Sequence, residues 1–224
     1  MARASYPTAA SFVPSSRSLA ELATAAEGCR GCNLYEAATQ VVFGAGGAGS
    51  RLVLVGEQPG DVEDRRGEPF VGPAGTLLDR ALDEAGIDRS AAYVTNAVKH
   101  FRFRSTASST RRIHAKPDAA HVSACQPWLT AELRVVDPVA VVALGATAAS
   151  ALFGPKFRVT QDRGVLMSWP PASGPYADIE LGPALTHTLA TIHPSAVLRA
   201  DSADRDRYFD GLVSDLRVAA DVLH

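Results

Sequence analysis

The sequence predicts an α/β protein, a three-layer α/β/α sandwich around a mainly parallel central sheet. Three observations lead there. Short apolar runs alternate along the chain with segments of helical spacing. One run, "PVAVVALG" (138–145), is apolar almost throughout, as a strand covered on both faces must be. The 224 residues, 46% of them hydrophobic, suffice to bury one core of this kind.

The elements follow in chain order. "RLVLVG" (51–56) reads as a buried strand entering a glycine-rich turn. "PAGTLLDRALDEAG" (73–86) has apolar residues at helical spacing, Pro73 in its first turn and Gly86 as its stop. "YVTNAV" (93–98) is a second strand. Residues 118–136 start on a capping Asp118 and continue as a helix that Pro127 should kink or restart. The strand 138–145 leads into a short helix (146–154). Residues 160–185, rich in Pro and Gly, suggest a loop and hairpin. "HTLATIHP" (187–194) is the last strand, and 203–221 closes as a helix. The first 20 residues hold Arg3, Arg17 and no acid, with Pro7 and Pro14 interrupting any helix. A disordered tail is expected there, and one domain over 21–224. No run of 18 apolar residues offers a membrane span. With no export signal, a cytoplasmic monomer is expected.

Net charge is −2, yet no Asp or Glu lies between Asp88 and Asp118. That window holds Arg89, Lys99, Arg102, Arg104, Arg111, Arg112 and Lys116. Such a one-sided segment suits an anionic partner such as a nucleic-acid backbone, or acidic residues from elsewhere in the fold. Within it, "RSTASSTRRIHAKP" (104–117) reads as a long loop carrying Arg111, Arg112 and His114, and long loops in compact domains tend to be functional.

In parallel sheets ligands bind beyond the carboxyl ends of the strands. Three sequences fall there: "GEQPG" (56–60), Asn96 with the cationic loop, and "HPS" (193–195). A dinucleotide site is excluded, because "GEQPG" lacks the GxGxxG spacing and Glu57 would repel a pyrophosphate. Cys29 and Cys32 form a CxxC pair, and Cys125 stands far off. This is a metal-site pattern short of one ligand, for which His100 is the first candidate and His121 the weaker one. Zinc, an iron–sulfur cluster and three unrelated thiols all remain open on spacing alone.

"GEQPG", "GEPFVGPAG", "YVTNAVKH", "ACQPWL" and "HPSAVLR", in this order, resemble the uracil-DNA glycosylase superfamily, nearest its family 4. The ending "RRIH" resembles the UdgX-like branch, whose members become covalently attached to their DNA. The resemblance spans roughly residues 25 to 220. It departs at Thr110, where that branch usually has lysine, and at His100, where family 4 usually has cysteine. It implies a [4Fe–4S] cluster on Cys29, Cys32, His100 and Cys125, and uracil-containing DNA, single-stranded or with a flipped base, as partner.

The residue types suit base excision, which needs a pocket for one base taken out of the stack. The resemblance implies Phe70 as the stacking face, although a core phenylalanine would look the same. Asn96 would accept from uracil N3–H and donate to O4, a pattern that cytosine reverses. Gly56 and the turn near Gln58 would line the pocket and lend backbone N–H groups. His193 would donate to uracil O2 as charge develops there, and Ser195 would touch a flanking phosphate. Glu57 would be the catalytic carboxylate. Arg111 and Arg112 would anchor the loop through phosphates or neighbouring carboxylates, holding the His114 imidazole where it attacks C1′. The alternative is an ordinary turnover glycosylase that uses water. His187, Trp128 and Trp169 are assigned to packing.

Overall fold

A computed structural model describes residues 6–106 and 109–223. The elements in chain order are α1 (Leu19–Glu27), β1 (Leu52–Gly56), α2 (Asp61–Arg66), α3 (Pro73–Glu84), β2 (Ala92–Asn96), β3 (Phe103–Thr106), β4 (Ser109–His114), α4 (Ala119–Val136), β5 (Ala140–Leu144), α5 (Ala146–Phe153), α6 (Val159–Asp162), β6 (Met167–Ser168), β7 (His187–Thr191), α7 (Pro194–Arg199) and α8 (Ser202–Ala220). The main sheet runs β2-β1-β5-β7-β6. Its first four strands are parallel, and only β6 is antiparallel, paired through Met167 with Thr188.

The strands are apolar on successive residues because both faces are covered. Leu52 and Leu54 of β1 join the core made with α3, α7 and α8, whereas Val53 and Val55 join the one made with α4 and α5. Alternation along a strand thus divides one apolar run between two helical layers. The expected three-layer sandwich is observed.

Asp118 caps α4 by accepting from the His121 N–H at 3.1 Å, and the helix passes through Pro127 without a restart. Four short helices, α1, α2, α6 and α7, were not legible in the sequence. The expected N-terminal tail is, from Tyr6 on, packed: Ala9 is buried, and the Thr8 N–H donates to the Gly31 carbonyl at 3.1 Å. The burial of small and apolar residues (Ala9, Leu22 and Ala26) against Trp128 of α4 explains its order. Residues 1–5 lie outside the described ones.

The expected loop 104–117 is a two-stranded antiparallel hairpin, β3–β4, pairing Phe103 with His114 and Arg104 with Ile113. The Thr110 side chain falls outside what is described. All four parallel strands end at the same edge of the sheet, and the hairpin base stands over it.

Candidate active site

Four chain segments meet at this edge: the turn after β1, the end of β2, the first turn of α5 after β5, and the turn after β7. β1 and β2 pair in register so that Gly56 lies beside Asn96. A side chain at position 56 would collide with Asn96 Oδ1 and come within 2.7 Å of the Phe70 ring, so only glycine lets the three meet. Phe70 is buried, has a left-handed backbone (φ 58°), and its ring stacks on His193 at 6.1 Å between centroids. A bulky residue in that conformation is strained, which is common where a side chain is aimed at a ligand. The strain is held in place by Glu63. Its buried carboxylate accepts from Gly60 N–H at 3.1 Å and Gly72 N–H at 2.8 Å, joining the "GEQPG" turn to the Phe70 loop.

His193 shows which way its proton points. Its Nδ1 accepts from the Ser195 N–H at 3.1 Å and lies 2.8 Å from the Ser195 hydroxyl, so Nε2 carries the hydrogen. Burial, with the neighbouring Arg199 and His114, lowers its pKa to about 4. The imidazole is therefore a neutral donor at neutral pH. Ser195, expected on a phosphate, is engaged with His193 and also accepts from Arg199 Nη1 at 2.9 Å. Gly145 (φ 89°) permits this packing, since a Cβ there would stand 2.9 Å from that of His193.

Glu57 is about one-fifth exposed and held from two sides. The Thr147 hydroxyl donates to Oε2, and His114 Nε2 lies 3.3 Å from Oε1. Gln58 builds the floor under that histidine. Its Oε1 accepts from the Arg102 N–H, and its Nε2 donates to the Arg102 and Ala115 carbonyls, each at 3.1 Å. Both amide hydrogens are thus directed elsewhere, although His114 Nε2 is only 2.9 Å away. The His114 Nε2–H is left to point at Glu57. The Gln58 side chain ties the two ends of the hairpin together, whereas the expectation for this turn concerned its backbone N–H groups.

The hairpin is fastened by Arg112, 12% exposed, which turns away from solvent. It pairs through Nε with Asp61 and through Nη1 with Asp64 at 2.5 Å, and donates to the Thr39 hydroxyl at 3.0 Å. Its guanidinium lies over Phe103 at 5.0 Å. Of the two anchors expected for Arg112, phosphate or carboxylate, the structure shows the carboxylates. Arg111 is exposed.

Cys29, Cys32 and Cys125 are buried free thiols within one apolar cluster. Trp128 Nε1–H donates to the Cys29 sulfur and the Lys99 N–H to the Cys125 sulfur, each at 3.3 Å. Burial pushes the Cys125 thiol up to about 12 and lowers His100 to about 4, leaving a neutral imidazole. His121, the weaker candidate, is occupied by Asp118 and Asn33. Among the described residues no three His, Cys, Asp or Glu side chains are set to hold a metal ion. The donors nonetheless fit an iron–sulfur cluster chemically: three thiols share one core, and His100 directly follows the residue that binds the Cys125 sulfur.

Sequence reasoning missed Thr147, Asp61, Asp64 and Arg199. Thr147 had a signal, because it follows a parallel strand at the same edge as the other motifs. The two aspartates had none, being five and eight positions past Gly56 on a helix whose partner lies on the hairpin.

Geometry of this kind defines an α/β protein whose carboxyl-edge site joins an aromatic ring, a side-chain amide, a carboxylate and two imidazoles. The chain belongs to the uracil DNA glycosylase superfamily, whose model matches residues 43–217. Similar proteins include the Type-4 uracil-DNA glycosylase of Thermotoga maritima, 37% identical over 180 residues that cover 80% of this chain and 82% of the relative. That of Pyrobaculum aerophilum is 33% identical, covering 76% and 80%, and that of Sulfurisphaera tokodaii 30%, covering 76% and 71%.

Proposed function

We propose that this protein excises uracil from DNA and is then joined through His114 to C1′ of the emptied nucleotide. Family membership and the Type-4 relatives support the excision. The observation that favours the second part is His114 Nε2 lying 3.3 Å from Glu57 Oε1 on a hairpin fastened by Arg112.

In this reading the flipped uracil stacks on Phe70 and is read by the Asn96 amide. As the C1′–N1 bond breaks, its electron pair leaves on uracil, and His193 Nε2–H donates to O2 where negative charge develops. A neutral donor is suited to this, since it needs no prior protonation. Glu57 takes the Nε2 proton of His114, and the freed lone pair closes on C1′. Thr147 holds the other carboxylate oxygen, so Oε1 stays on the histidine. The new carbon–nitrogen bond has a poor leaving group, and the product is free uracil plus a protein–DNA adduct. Exposed cations such as Arg111 would meet phosphates.

The same reading assigns a [4Fe–4S] cluster to Cys29, Cys32, His100 and Cys125. Bound, the cluster would act structurally, joining the N-terminal segment, residues 98–100 and α4.

A second reading, an ordinary turnover glycosylase with water as nucleophile, is favoured by the Type-4 relatives and by the half-exposed His114. A denaturing gel with a uracil-containing oligonucleotide separates the two. Wild type should give a slow band resistant to SDS and heat, and His114→Ala none. No adduct from wild type selects the water reading. A heat-stable adduct from the mutant removes His114 as nucleophile.

A further inference from the structure

Beneath the pocket lies an ion pair that no step above uses. The Lys99 and Glu132 side chains are 1% and 0% exposed, with Nζ 2.5 Å from Oε2. Glu132 Oε1 also accepts from the Gly44 N–H at 3.1 Å and from the Tyr93 and Thr95 hydroxyls at 2.9 Å. Such pairs add little stability compared with apolar residues of the same volume, so stability alone does not account for a buried lysine here. Its remaining bonds do. Nζ donates to Thr95 Oγ1 at 2.6 Å and to the main-chain carbonyl of Asn96 at 2.8 Å. The N–H of that same peptide group, on Ala97, donates to the Gly56 carbonyl at 2.9 Å. The 96–97 peptide plane is therefore clamped on both edges, and with it the direction in which the Asn96 side chain leaves the backbone.

We propose that Lys99 is a positioning residue for base recognition: its ammonium holds the Asn96 carbonyl so that the side-chain amide meets the base in one orientation. Glu132 is the counter-ion that keeps the ammonium in the core. The inference rests on Asn96 reading the base.

The test is single-turnover uracil release by purified Lys99→Met, Glu132→Gln and Asn96→Ala, with thermal melting of each. Lys99→Met should slow release about 100-fold, the effect of a misplacement near 1 Å. Its half-saturating protein concentration should stay near that of wild type, because phosphate contacts still hold the DNA. Glu132→Gln should lower Tm but leave release within a few-fold, since the amine still reaches the carbonyl. Where Lys99→Met does not melt cooperatively, Lys99→Met/Glu132→Gln, which leaves no unpaired charge in the core, replaces it. Wild-type release from the Lys99 variant overturns the clamp, as does slowing of both single variants in proportion to lost Tm. If Asn96→Ala releases uracil like wild type, the recognition reading itself falls. If Asn96→Ala is slow and the Lys99 variant is not, only the clamp falls.

Discussion

Replacing Arg112 with methionine should detach the hairpin from α2 while leaving the uracil pocket in place. The side chain pairs with two carboxylates of unequal worth. Asp61 is 40% exposed, and its pair with Arg112 is screened to at most about 1 kcal/mol. Asp64 is 0% exposed, and breaking a buried pair of that kind costs about 3 kcal/mol. In wild type that cost opposes lifting the hairpin, whereas in the mutant it is already incurred with the hairpin down. The docked population therefore falls by up to about 100-fold at about 1.4 kcal/mol per decade. Adduct formation should slow by a similar factor. Uracil release should slow less, because Phe70, Asn96 and His193 are carried by other segments. Denaturing gels for the adduct and chromatography for free uracil, run on the same samples, give both rates. Arg112→Lys should fall between, since an ammonium cannot satisfy Asp61 and Asp64 with one planar fork. Adduct formation by Arg112→Met at the wild-type rate would refute the anchor.

Thr147→Val should lower uracil release and adduct formation about 10-fold, a share of what a positioned base contributes, with Thr147→Ser restoring both; equal loss in Ser and Val would mean packing, not the hydroxyl. For His193, the folded pKa of about 4 lies below the ordinary 6.5, so the unfolded chain binds the extra proton between those values. His193 should therefore contribute up to about 3 kcal/mol to the fall in stability as pH drops from about 6.5 to about 4, beside a similar share from His100, and His193→Gln should lose its own share in urea melts. An identical slope in the two proteins would place the imidazole in solvent. Cys125→Ala should abolish the visible absorbance of the purified protein and its iron content; unchanged colour and iron would remove that cysteine from the cluster.

What the sequence determined by itself was the layered fold and most of the residues at the site's edge. Strand runs such as 138–145 were legible because burial on both faces demands apolar residues in succession. Glu57, Asn96 and His193 were legible because each ends or follows such a strand, and parallel strands bring their carboxyl ends to one edge. Only the tertiary structure decided what those side chains do to one another. Arg112 meets Asp61 and Asp64 across 51 and 48 positions, and Thr147 meets Glu57 across 90. No local spacing encodes such pairs. Gln58 binds the hairpin ends and Ser195 binds His193 for the same reason: an amide or hydroxyl names a capacity to bond, and the partner is whichever group the packed backbone brings within about 3 Å. The N-terminal segment looked unstructured because its few apolar residues find their core only on α4, more than a hundred positions away.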